Sequence, residues 1–284
     1  MNEYSLLDFS HGERLEQWGP YRLRRPDPTT AGSVQEKPEL WEDADAAYIG
    51  EKGKGEWVRK KPVPEHWPVT FGDIKLLARL APYKHTGIFP EQQQNWDWAR
   101  AEAKKLARPL TILNLFAYTG GASVALAKDG HFVTHVDSSR PSIGWAKENA
   151  LLNAIGTDRI RWMLEDAPTF VVKEVKRGKK YDAVILDPPA YGHGVSGKTW
   201  RVERDLAPLL ENCALLLSES PSFIVLNGYG HSDTPESFHR LLTAIIHAKT
   251  TQKNFLLSAR ELTLKTDDGR TLETGIVARC GFSR

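Results

Sequence analysis

Cysteine is scarce. Two residues in 284 leave no disulfide framework and no zinc site of four Cys ligands. No apolar run approaches the roughly 18 residues of a membrane-crossing helix. The stretch Met1 to Asp8 lacks a basic segment followed by an apolar one, so no secretory leader is expected and the cytoplasm is the default. Neither sign of charge dominates. Lys and Arg total 38 against 36 Asp and Glu, a formal net charge of +2, so any nucleic-acid surface must be local. Internal repeats and low-complexity runs are missing too. What remains is ordinary globular material, 40% hydrophobic and 26% charged. At this length the prior is about two domains.

The texture changes along the chain. Residues 1–80 hold Trp18, Trp41, Trp57 and Trp67, with short apolar stretches broken by turn signals such as Gly19-Pro20 and Lys52-Gly53-Lys54-Gly55. They read as a small β-rich N-terminal domain, with an irregular connector near 26–39. Residues 81–109 read as a linker and helix leading into a core over 110–284. In that core, buried strands at 110–116, 131–136, 160–164, 181–186 and 222–226 alternate with helices at 122–128, 139–153, 206–217 and 235–248. The alternation predicts an α/β fold with a parallel, Rossmann-like sheet. Two strand-like stretches, 255–266 and 271–280, flank Asp267-Asp268-Gly269-Arg270 and predict an antiparallel C-terminal hairpin.

Three constellations stand at strand ends. The first is Asn114-Leu-Phe-Ala-Tyr-Thr-Gly-Gly-Ala122, where small residues at a strand–helix turn let a ligand approach the backbone. Asp137 follows at the next strand tip and can accept both hydroxyls of a ribose. The spacing is not Gly-x-Gly-x-x-Gly, which disfavours a pyrophosphate ligand and a nicotinamide-dependent dehydrogenase. The second is Glu165-Asp166-Ala167, in which Asp166 either accepts from an exocyclic amine or caps the helix that follows. The third is Asp187-Pro188-Pro189-Ala190-Tyr191. Its prolines stiffen the backbone, its Asp can hold an amine, and its Tyr can stack on a base. Gly192, Gly194 and Gly197 then suggest a flexible gate extending to Trp200. His193 and His231 lie in neighbouring loops but read as bystanders.

Together these segments resemble class I S-adenosylmethionine-dependent methyltransferases. More narrowly, they resemble the branch of bacterial large-subunit rRNA methyltransferases of the RlmI/RlmK type. The upstream Lys84-His-Thr-Gly-Ile-Phe-Pro-Glu-Gln-Gln-Gln-Asn95 is similar to a segment that precedes the core in that branch. The resemblance covers about residues 80–284. It implies a seven-stranded methyltransferase sheet with S-adenosylmethionine over the first strand tips. The cofactor candidates it implies are Gln92, Asn114, Phe116, Tyr118, Thr119, Gly120, Gly121, Ala122, Asp137, Ser138, Asp166, Ala167 and Asp187. The catalytic candidates are Asp187, Pro188, Pro189 and Tyr191, with no metal expected.

Two departures shape the expected chemistry. No RNA-binding module of the PUA kind is recognisable in the N-terminal part. The stretch Leu226-Asn227-Gly228-Tyr229-Gly230 carries no Cys where cytosine-C5 members place their nucleophile. Carbon 5 needs transient covalent addition, so an atom with its own lone pair is the expected acceptor. RNA is the expected partner. Arg22, Arg24, Arg25, Lys52, Lys54, Arg59, Lys60 and Lys61 are candidate contacts, with Trp18 and Trp57 as stacking surfaces. Residues 1–110 nonetheless hold 17 basic and 17 acidic side chains, so a mere solvated face is the competing reading. The rival functions are a methyltransferase of protein or a small molecule, and a cofactor-binding assembly factor without turnover.

Overall fold

The structure, a computed structural model, describes residues 2–51, 54–193, 199–229, 234–252 and 254–283. Its chain divides into two compact units. The first comprises residues 1–91 with 263–274, and the second 92–262 with 275–284.

In the first unit, β1 (Tyr4–Ser10), β2 (Glu13–Trp18), β3 (Tyr21–Pro26), β4 (Ala46–Glu51) and β5 (Lys54–Arg59) form one sheet in chain order. Only the β3–β4 pair is parallel. A helix α1 (Pro38–Glu42) lies in the connection between them. β6 (His66–Phe71) and β7 (Ile74–Arg79) form a separate hairpin, burying alternate residues as strands with one covered face do. The connector near 26–39 is ordered by one carboxylate. Asp8, fully buried, accepts from the Glu36 and Lys37 amides at 3.2 and 3.0 Å and from the Trp41 indole at 2.7 Å.

Two expected RNA contacts lie inside this unit. Trp18 is 0% exposed and Arg25 is 1% exposed. Arg25 donates to Glu16 at 2.5 and 2.9 Å, and Tyr4 donates to the same carboxylate at 2.9 Å. Burial opposes ionisation of Glu16, yet Arg25 and Arg14 hold its carboxyl down at about 2. A side chain spent on a buried ion pair cannot reach a phosphate. Lys54, Arg59, Lys60 and Lys61 are exposed, and Lys52 lies outside the described residues.

The second unit is built on a seven-stranded sheet. Its leading helix is α2 (Gln93–Lys104). Then follow β8 (Thr111–Leu115), α3 (Gly121–Lys128), β9 (Phe132–Asp137), α4 (Arg140–Leu152), β10 (Ile160–Leu164), α5 (Ala167–Lys176) and β11 (Ala183–Leu186). A short ladder of β12 (Tyr191–His193) and β13 (Thr199–Arg201) precedes α6 (Val202–Leu215). The chain ends with β14 (Phe223–Gly228), α7 (Pro235–Lys249), β15 (Phe255–Lys265) and β16 (Thr271–Phe282). The strand order is β10-β9-β8-β11-β14-β16-β15, with β16 antiparallel to β14. β8, β11 and β14 are almost wholly buried, as strands covered on both faces must be.

The α/β class, the seven strands and the C-terminal hairpin agree with expectation. α6 does not agree in detail. It begins at Val202 rather than 206 and carries Pro208 inside it. The Arg201 amide, just ahead of the helix, donates to Asp205 at 2.9 Å, so the extra turn has an acidic anchor. The tip of the last hairpin, 263–274, belongs to the first unit. There Leu264 and Leu272 pack with Leu6 and Phe9.

Candidate active site

Chain order reverses at the centre of the sheet. From β8 the chain builds outward to β9 and β10, then returns to place β11 on the other side of β8. A crevice must open at the carboxyl ends of strands at such a switch point. The turn leaving β8 is strained. Phe116, Tyr118 and Gly120 have φ of +55°, +49° and +85°. A left-handed conformation at the two non-glycine residues costs on the order of 1–3 kcal/mol each and persists only where neighbours enforce it.

Asp137, at the end of β9, is the enforcer. Its carboxylate accepts from the Tyr118 amide and the Ser139 amide, each at 2.8 Å. Burial pushes its carboxyl above the ordinary value, with the two amides pulling the other way. Each oxygen uses one of its two lone-pair directions on the backbone, which leaves room for a hydroxyl on each.

The glycines serve the fold more directly than sequence reading supposed. A Cβ on Gly121 would lie 2.3 Å from the Trp96 ring of α2, and one on Gly120 would lie 3.0 Å from Ala146. Asn114 serves the fold as well. It is 2% exposed and donates to Ser123 Oγ at 2.9 Å, fastening β8 to α3. Thr119 is buried, and its carbonyl accepts from Asn149 of α4 at 2.8 Å. Ala122, in the first turn of α3, is half-buried.

Beside Asp137 lies a cleft of about 580 Å³. Phe116, Val136, Asp137, Ser138, Glu165, Asp166, Ala167 and Pro189 line its strand-tip side. Asp166 sits at the N-cap of α5, but its side chain makes no capping bond. The helix-cap alternative for that residue is therefore not what the structure shows. Among the described lining residues the only cation is Arg204, which Asp205 engages at 2.7 Å.

The Asp187-Pro-Pro segment leaves β11 alongside this cleft. Asp187 is half-buried, Pro188 buried, and Pro189 and Tyr191 exposed. The expected gate is flanked by paired backbone. Tyr191, Gly192 and His193 register with Arg201, Trp200 and Thr199. Residues 194–198 and His231 lie outside the described residues.

Sequence reasoning gave Trp200 only as the far end of the gate. Its indole N–H donates to the Pro189 carbonyl at 2.6 Å, and its ring lies 5.0 Å from that of Phe116. It thus ties the proline segment to the strained turn. Gln92 belongs to a buried polar network, which it enters by donating to the Tyr229 hydroxyl at 2.6 Å. Asn95 donates to Gln92 at 2.8 Å and to Asn227 at 2.7 Å, and Arg279 donates to Asn95 at 3.0 Å. Burial and Arg260 pull Arg279 down to about 10, which leaves it charged at neutral pH. No local motif announced these partners.

A sheet switch point, Asp137 and Asp166 at adjacent strand tips, and a cleft whose one cation among the described lining residues is already paired with Asp205 define a doubly wound α/β protein whose cleft suits a nucleoside without phosphates. A family model described as S-adenosylmethionine-dependent methyltransferase matches residues 47–222, and the chain belongs to that family. Membership makes it an enzyme with S-adenosylmethionine as its cofactor. The crystal structure of the SAM-dependent methyltransferase from Agrobacterium tumefaciens is 34% identical. The match covers 98% of this chain and 90% of that one, with a TM-score of 0.93. A ribosomal RNA large subunit methyltransferase K/L of Alteromonas mediterranea is 30% identical over 179 residues, 62% of this chain and 24% of the relative. The Acinetobacter baylyi protein of the same name is 28% identical over 68% of this chain and 26% of its own length. The chain thus spans about a quarter of the length of these curated relatives.

The residues present fit the cofactor. Asp137 retains acceptor capacity for ribose hydroxyls, Asp166 lines the same cleft, and Phe116, Val136, Ala167 and Pro168 give it carbon walls. Among the described residues no helix is long and apolar enough to cross a membrane.

Proposed function

We propose that this chain methylates RNA, in the cytoplasm, at a nitrogen or another atom with its own lone pair. The observation that carries this reading is an acceptor edge without a thiol. Asn227 and Gly228 end β14 and Tyr229 follows it, next to the end of β11 from which Asp187 leaves, and both cysteines lie elsewhere. Cys213 is 2% exposed within α6, and burial pushes its thiol well up. Cys280 is 0% exposed, and burial followed by Glu102 pushes its thiol up to about 12. Neither is a thiolate at neutral pH, as a nucleophile must be. The name shared by the K/L relatives supports RNA as the substrate class. Exposed Lys54, Arg59 and Lys60 on and beside β5, with Trp57 among them, offer phosphate contacts and a ring.

S-adenosylmethionine supplies an electrophilic methyl group on a sulfonium. The protein's work is then alignment and exclusion of water. Asp137 holds the ribose and Asp166 the adenine amine. Asp187, on its stiff proline platform, accepts a hydrogen bond from the acceptor N–H and so points the lone pair at the methyl. Tyr191, 53% exposed, stacks on the acceptor base.

The test is transfer of tritium from labelled S-adenosylmethionine to ribosomal RNA, transfer RNA and total protein, with mass spectrometry of the labelled product. An N-methylated nucleoside in RNA, formed equally by a Cys213→Ala/Cys280→Ala variant, is the expected result. Label confined to protein, or 5-methylcytosine that disappears in that variant, overturns the proposal.

A further inference from the structure

We propose that the adenine end of the cleft continues into an apolar subsite between α5 and α6. The subsite takes a hydrophobic or aromatic substituent on the adenine amine. This inference rests on the reading that Asp166 accepts from that amine.

The cleft has two sides. Its strand-tip side, from Asp137 to Asp166, is the nucleoside site described above. Its helix side is lined by Thr169 and Val172 of α5 and by Arg204, Asp205, Pro208, Leu209 and Asn212 of α6. Arg204 to Asn212 is nine residues, so eight helical steps or about 12 Å, and longer than a purine ring system. The cleft's described lining holds Phe116 and Pro189 but not Tyr118, Gly120 or Asp187, so the α6 wall is additional to the turn that leaves β8. Asp166 and Ala167 stand where the two sides meet.

The chemistry of the helix side selects its occupant. Val172 is 40% exposed beside the cleft, and Leu209 and Pro208 present further carbon. Pro208 has no N–H to offer. The polar groups of α6 there already make bonds within the protein. Arg204 donates to Asp205 at 2.7 Å and to the Thr199 carbonyl at 2.6 Å, and Asn212 donates to the Pro208 carbonyl at 2.8 Å. A charged ligand would compete with Asp205 for Arg204, whereas a hydrocarbon ring needs only the carbon surface of Val172, Pro208 and Leu209. An amine carries two hydrogens. One serves Asp166, and the other is replaceable by a group that runs into the groove.

The test compares S-adenosylhomocysteine with its N6-benzyl derivative by calorimetry on the full chain. The benzyl compound is expected to bind no more than threefold more weakly than the parent. Val172→Trp, which fills the groove, is expected to weaken the benzyl compound at least tenfold and the parent less than threefold. A wild-type penalty above threefold, or any Val172→Trp pattern without that selectivity, overturns the subsite. Asp166→Ala separates the two readings. Parent affinity unchanged in that variant removes the amine assignment itself, while parent affinity reduced with the benzyl compound rejected removes only the subsite.

Discussion

Asp137 holds together more than its ligand, and Asp137→Ala should expose both roles. The carboxylate makes two charge-assisted bonds, to the Tyr118 and Ser139 amides, each at 2.8 Å. Together they are worth about 3–6 kcal/mol. Removing a half-buried carboxylate returns part of that, because burial already disfavours its charge. A net stability loss of about 1–3 kcal/mol in the second unit follows. Affinity for S-adenosylhomocysteine should fall by a further 1.5–3 kcal/mol or so, roughly ten- to 150-fold, as two hydroxyls lose a charged acceptor.

The wild-type pH dependence follows from the same group. Its folded pKa is raised, so ionised Asp137 subtracts stability at neutral pH. That penalty fades as pH falls through the folded pKa. Cofactor affinity moves in the opposite sense, weakening as pH falls through a point above the ordinary carboxylate value of 3.8. Calorimetry from neutral to mildly acid pH, on wild type and Asp137→Asn, reads both effects. The variant should bind weakly with a flat profile. A folded Asp137→Ala protein with affinity within threefold of wild type would refute the reasoning.

Other substitutions probe the remaining parts. Asp187→Ala should slow single-turnover methyl transfer by about a hundredfold while cofactor affinity stays within about threefold, and near-normal transfer would remove Asp187 from catalysis. Tyr191→Ala should instead weaken acceptor binding by about 1–3 kcal/mol, read from the substrate dependence of the rate. Trp200→Phe keeps a ring against Phe116 but loses the bond to the Pro189 carbonyl. It should cost about 1 kcal/mol in urea unfolding and slow transfer without weakening the cofactor, and an unchanged rate would count against a positioning role. Glu16→Gln leaves Arg25 buried without its anion and should cost about 3–5 kcal/mol in urea unfolding. Glu16 ionises at about 2 in the fold against 4.5 ordinarily, so its contribution is complete above 4.5 and drains away as pH falls toward 2. The variant should lack that acid-side slope.

The order of strands and helices in the second unit was legible because local periodicity carries it. β8, β11 and β14 read as unbroken apolar runs. α4 announces itself with Ser139 accepting from the Ser142 amide and with Pro141 in its first turn. The acids at strand ends were legible for the same reason, since the end of an apolar run marks the edge of a sheet. What local reading could not supply was where side chains go once distant segments meet. Gly121 looked like space for a ligand, and the tertiary structure fills that space with Trp96. Asn114 looked like a ligand contact and became a brace for α3. Arg25 and Trp18 looked like a nucleic-acid surface, until Glu16 and the packing of the first unit took them inside. The bond from Trp200 to Pro189 and the network from Gln92 to Arg279 join residues that chain folding alone brings together. Pattern along the chain records which face of each element is apolar, so by itself it determined the elements and the edge where chemistry occurs. The pairing of buried polar groups depends on which strands become neighbours. That is set by long-range packing and the demand that every buried charge find a partner, and only the tertiary structure decided it.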